Sequence, residues 1–65
     1  MLVKTKVRVT RNKDGVETNE YLDGLVNTDR IQLVLSTDLE GVLILVMSDG
    51  KNTLVKDKIT RFEGK

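Results

Sequence analysis

The side chains able to do chemistry in this chain are few in kind. Of its 65 residues none is Cys or His. That removes thiolate nucleophiles, imidazole general bases and the triads built on them. It also removes the ligands of nearly all zinc and haem sites. Ten carboxylates remain, and two acids flanking a sugar bond suffice for a glycosidase. Most of the Asp residues, however, fall in Asp-Gly turn sequences, where backbone geometry accounts for them. Asp29 and Asp57 stand outside such turns, with nothing in the sequence that buries either or pairs them. No run of closely spaced acids ends in the bidentate Glu of a calcium loop. Neither GxGxxG nor GxxxxGK[ST] occurs. These residue types predict a protein that is not an enzyme and holds no metal or cofactor.

The cations are the other chemical resource, and they are unevenly spread. Residues 1–13 carry five bases and no acid, residues 14–50 carry eight acids against Arg30, and residues 51–65 carry five bases against two acids. The net charge is only +1. In the first segment Lys4, Lys6 and Arg8 alternate with Val3, Val7 and Val9, which puts the three cations on one face of a strand. Near the other end lie Lys56, Lys58 and Arg61. These six are the candidate binding residues. The basic ends could form a face for phosphates or for an acidic partner. Equally, a basic strand 2–11 paired with an acidic strand 16–22 would cancel charge internally, and a row of lysines protects a sheet edge from aggregation. Attraction between a basic edge of one subunit and an acidic edge of the next would suit a ring.

The elements that must position these groups are strands. There is no Ala in the chain, while Val, Ile and Thr abound; β-branched residues pack well on a pleated surface and lose freedom in helices. Turn sequences recur at Asn12-Lys13-Asp14-Gly15, Leu22-Asp23-Gly24, Asp38-Leu39-Glu40-Gly41 and Ser48-Asp49-Gly50-Lys51. Strands are expected over 2–11, 16–22, 25–36, 42–48, 51–57 and, shorter, 59–63. A three-residue loop Lys13–Gly15 would place Arg8 beside Glu20, Thr10 beside Thr18 and Val7 beside Tyr21. A two-residue loop Asp49-Gly50 would set Leu45 opposite Leu54 and Ile44 opposite Val55.

The two middle strands predict how the chain is covered. Ile31, Leu33, Leu35, Leu43, Leu45 and Met47 would share one face, and Val34, Val42, Ile44 and Val46 the other. An unbroken apolar run such as 42–47 implies a strand covered on both sides. With no helix to supply that cover, either the sheet curls on itself or a second subunit does so, and the two are compatible. A 65-residue chain has a marginal core without disulfide, metal or association. Hence the expectation is one domain over 1–65, all-β, a small antiparallel five- to six-stranded SH3-like barrel or strongly curved sheet, assembled as a homo-oligomer. No apolar run is long enough to span a membrane. The opening Met1-Leu2-Val3-Lys4 has no signal-peptide core, which points to the cytoplasm.

Two resemblances add to this reading. The apolar strand 42–47, a short polar turn, and then Lys56, Ile59, Thr60 and Phe62 at matching spacing resemble the second half of Sm-like proteins of the Hfq type, with Asp57 where that family has His. The resemblance implies a ring of SH3-like barrels joined by strand pairing. It also implies single-stranded RNA bound near Lys56 and Lys58, with Arg61 behind them. Thr10-Arg11, Asn27-Thr28-Asp29-Arg30-Ile31, Asp49-Gly50-Lys51 and Val55-Lys56-Asp57 are similar to pieces of small FlbD-like motility-associated proteins. That similarity implies an interaction protein without an active site. The only aromatics are Tyr21 and Phe62; both read as core residues, Phe62 as the plug of a barrel end, which argues against a base-stacking platform within one subunit. The leading expectation is a non-catalytic, oligomeric structural or interaction module contacting protein. The alternative is an Sm-like ring binding single-stranded RNA.

Overall fold

Alternation of Val with Lys or Arg from Val3 onward makes a long strand, and the chain reverses on it at Asp14-Gly15. The computed structural model describes residues 1–63. It contains β1 (Leu2–Lys13), β2 (Val16–Asn27), β3 (Ile31–Ser36), β4 (Val42–Met47) and β5 (Asn52–Lys56), with single 3-10 turns at Thr28–Arg30 and Ile59–Phe62. The strands form one antiparallel sheet in the order β2-β1-β5-β4-β3. The all-β class holds, as a strongly curved open sheet: β2 pairs only with β1, and β3 only with β4. No helix among the described residues is long and apolar enough to cross a membrane.

Curvature follows from the link between the two edges. Laid flat, five strands would hold β2 and β3 about 19 Å apart. The chain from Asn27 to Ile31 reaches roughly 14 Å at full extension, so the sheet must curl until its edges approach at that end. Asn27 caps the linking turn, its Oδ1 accepting from the Asp29 N–H at 3.1 Å. Thr28 is buried, and its N–H and hydroxyl both donate to the Met1 carbonyl, at 2.8 and 3.0 Å. The expected strand 25–36 is therefore two strands and a corner.

Gly24, expected in a turn, lies inside β2 opposite Thr5. A Cβ there would stand 3.1 Å from Cγ2 of Val7, so glycine lets β2 pass close over β1.

Both hairpin registers differ from expectation by one residue. At the first, Asp14 (φ 53°) and Gly15 (φ 78°) are both left-handed, the signature of a two-residue type I′ turn. Lys13 thus pairs with Val16, Val9 with Glu20, Arg8 with Tyr21 and Val7 with Leu22. At the second, only Gly50 is left-handed (φ 87°). The Gly50 N–H donates to the Met47 carbonyl at 2.9 Å and the Met47 N–H to the Lys51 carbonyl at 2.8 Å. This is a three-residue loop closed by a glycine bulge, and it sets Leu45 opposite Thr53 and Ile44 opposite Leu54.

A third shift, a bulge at Gln32, changes which side chains are inside. Ile31 pairs with Met47 but Leu33 pairs with Val46, so the alternation of β3 inverts after Gln32. Val34 turns inward beside Leu45, and Leu33 and Leu35 join Ile44 and Val46 on the outer face. The expected grouping of Leu33 and Leu35 with Leu43, Leu45 and Met47, and of Val34 with Ile44 and Val46, does not occur. The core consists of Val3, Val26, Leu43, Leu45, Val55 and Phe62, with Val7, Ile31, Val34 and Met47 packed around them. Val42 is also buried, outside that cluster. Phe62 does fill the core, but from a 3-10 turn: residues 59–63 form no strand.

The β1–β2 hairpin is longer than the core beneath it. β1 joins β5 only at Lys6 and Val7, and residues 8–21 carry no buried side chain. The longest dimension, 42 Å, is the length of a twelve-residue strand. The radius of gyration is 12.3 Å, against about 11 Å for a compact chain of this size.

Leu45 is fully buried at the centre of the core. Leu45→Ala is expected to cost about 2–5 kcal/mol, read as a lower urea midpoint with an unchanged slope; a cost below about 0.5 kcal/mol would place the core elsewhere.

Candidate functional site

Pairing registers define rows of side chains that cross the outer face of the sheet. One row runs Asp23, Lys6, Lys56, Val42 over β2, β1, β5 and β4. Lys4 lies one pleat along from Lys6, and the last 3-10 turn brings Arg61 alongside. Together Lys4, Lys6, Lys56 and Arg61, with Thr5, Asp23 and Asp57, line an open cavity of about 520 Å³. Four of the six expected binding residues thus meet in one place. Lys58 faces away, into a separate 430 Å³ hollow with Leu39, Val42 and Ile59. Arg8 lies further out along the hairpin, opposite Tyr21.

The cavity floor is held by hydrogen bonds between residues far apart in sequence. The buried Thr5 hydroxyl donates to Oδ2 of Asp57 at 2.7 Å. Arg61 donates to the same oxygen at 3.1 Å and to the Lys4 carbonyl at 2.9 Å. The Lys58 N–H donates to the other Asp57 oxygen at 2.8 Å. The Asp57 side chain is only 11% exposed. Neither Asp57 nor Thr5 stood out as a site residue in the sequence. The available signal was Thr5 itself, the polar residue of the otherwise apolar inward row Val3, Thr5, Val7, Val9: a hydroxyl at a core position requires a partner.

Part of the charge is cancelled internally, as strand pairing suggested. Lys6 bonds Asp23 at 2.8 Å and Arg11 bonds Glu20 at 3.0 Å. Glu20 lies opposite Val9, so its expected partner Arg8 is replaced by Arg11. The hydrogen bond from Lys6, and then its charge, hold the Asp23 carboxyl below the usual carboxylate range; desolvation opposes this and Lys4 adds to it. The Lys56 ammonium sits 5.6 Å from the centre of the Tyr21 ring, a cation–π contact.

The edge-protection account fails for Lys4 and Lys6, where β1 is interior, Lys6 pairing with β5 and the Lys4 carbonyl bonded to Arg61; Arg8 lies beyond the β5 pairing, where that side of β1 is open. The edge strands are β2 and β3, and β3, Ile31 to Ser36, carries no charge. Its outward residues Leu33 and Leu35 are 51% and 41% exposed. With half-buried Ile44, Val46 and Leu54 they form rows Leu35-Ile44-Leu54 and Leu33-Val46-Asn52. The outer face thus has a cationic half and an apolar half, meeting on β5. Comparison with family models, curated proteins and solved structures gives no match for this chain.

Asp57→Ala is expected to strand the Thr5 hydroxyl and release Arg61, costing about 1–3 kcal/mol. Adding Thr5→Val should recover part of that loss in a double-mutant cycle; strict additivity would break the link between the two. In an NMR titration the Asp23 carboxyl should have its midpoint below 3.8, and Lys6→Met should move it upward. The sign follows from the lowered value: the pairing contributes to stability above the ordinary pKa and is lost as pH falls through the lowered one.

Proposed function

We propose that this chain is a non-catalytic interaction module that works as a homo-oligomer and contacts protein, its copies joined through β3 and the apolar outer half of the sheet. The observation that carries the reading is the row of Leu33 and Leu35, about half exposed, on an edge strand without a single charge. Soluble sheets usually protect an edge with Lys, Pro or a covering element. Contiguous apolar surface on a small domain marks an association site. A second copy is the partner that fits, because an uncharged strand pairing antiparallel with itself around a two-fold axis completes both edges at once. It also covers the second face of β4, where Ile44 and Val46 are half-buried within one chain. The free edge of β2 carries Glu17, Glu20 and Asp23, the last two paired to Arg11 and Lys6, and its charged residues protect it as β3 is not protected.

Light scattering on a sizing column over a range of concentrations tests the reading. The expected result is a dimer or higher assembly that Leu35→Lys converts to a monomer with unchanged far-UV circular dichroism. A monomeric parent protein at high concentration, or an assembly indifferent to Leu35→Lys, overturns it.

A further inference from the structure

Lys6 and Lys56 are direct cross-strand partners on the outer face, at one of the two register pairs that join β1 to β5. Like charges placed opposite each other destabilise a sheet, and here they do so at the narrowest seam of the molecule. Asp23 answers Lys6 from the far side of β1. Among the described residues, the Lys56 ammonium has only the Tyr21 ring and Lys4 pairs with no carboxylate. From this geometry we infer that the cavity between Lys4, Lys6, Lys56 and Arg61 is an anion site whose ligand is a phosphate group in its dianionic, monoester form.

Charge and preorganisation both point to that class of ligand. Four cations and two carboxylates line the cavity, leaving a net +2 that matches a phosphate monoester above its second pKa of about 6. Arg61 is held in place by Asp57 and by the Lys4 carbonyl, and Asp57 is held by buried Thr5. The guanidinium is therefore already oriented, with N–H groups beyond those two bonds, and less order is lost when an anion binds. The three lysines supply mobile donors around it. A phosphodiester chain fits less well. Each of its phosphates carries one charge, and the Tyr21 face on which a base could stack has the Lys56 ammonium over it. Across the strands apolar residues flank the cations, with Leu25 opposite Lys4 and Leu54 two residues before Lys56; along β1 Arg8 alone continues the row.

The inference is independent of oligomeric state and is tested on the full chain by titrating isotope-labelled protein with O-phosphoserine at constant ionic strength. Saturable amide shifts are expected at residues 4–6 and 56–57. They should weaken roughly tenfold in Lys56→Gln and again when the pH is taken from about 8 to about 5, below the second phosphate pKa. Lys4→Gln serves as a second variant, and an unchanged spectrum away from the cavity confirms that each variant is folded. Inorganic phosphate should compete, and a single-stranded RNA without terminal phosphates should not. Absence of saturation, affinity unchanged in both variants, or RNA binding at the cavity where phosphoserine does not bind would each overturn the proposal.

Discussion

The structure depends on a seam of two ladder pairs, Lys6 with Lys56 and Val7 with Val55. On one side of it lies the β1–β2 hairpin, and on the other the β3–β4–β5 meander. Each half alone would be a thin sheet with one apolar face in water, and such pieces are marginal. Joined, they bring Val3 and Val26 from the hairpin against Leu43, Leu45 and Val55 from the meander. A seam this short needs reinforcement, and with no Cys in the chain hydrogen bonds supply it. Thr5 reaches across to Asp57, and Arg61 reaches back to the Lys4 carbonyl. Phe62 then enters the core from the same 3-10 turn that carries Arg61.

Placing the seam near the middle of β1 leaves the outer part of the hairpin to support itself. It does so with local devices: the type I′ turn at Asp14-Gly15, the Thr10–Asn19 hydrogen bond at 3.0 Å, and the Arg11–Glu20 pair. Exposed ion pairs contribute about 0–1 kcal/mol each, so this arm is the least stable part of the fold. Apart from Val9, Val16 and Tyr21 its side chains are polar, and its charges balance between Arg8, Arg11, Lys13 and Asp14, Glu17, Glu20.

The outer face of the sheet is where intrachain packing stops and external contacts begin. β5 divides it, with Lys56 turned to the cationic cavity and Leu54 to the apolar rows. Both halves carry a local cost in the isolated chain: like charges opposite each other on one side, and exposed leucines on the other. Both costs fall when something binds. That common logic links the proposed self-association through β3 to the proposed phosphate site, although different atoms carry each.

The class of the fold and much of its patterning were legible in the residues. The absence of Ala, the abundance of β-branched side chains and the Val–Lys alternation of β1 are local properties, and strands form or fail largely on them. The cations that meet in the cavity were recognisable by type and strand position. What the sequence could not decide were one-residue choices that depend on neighbouring strands. Asp-Gly occurs at both hairpin tips, yet at one tip Asp14 is left-handed and at the other only Gly50 is. Gln32 could pair or bulge, and the bulge puts Val34 inside and Leu33 and Leu35 outside. Gly24 looked like a turn until Val7 occupied the space a Cβ would need. Asp57 looked like a surface acid until the curl of the sheet set Thr5 against it. A strand's side chains alternate with period two, so each such choice moves whole rows between core and solvent. Composition determined that this chain would be a curved sheet with cations and leucines to place; only the packing of one strand on the next decided which of them face out together.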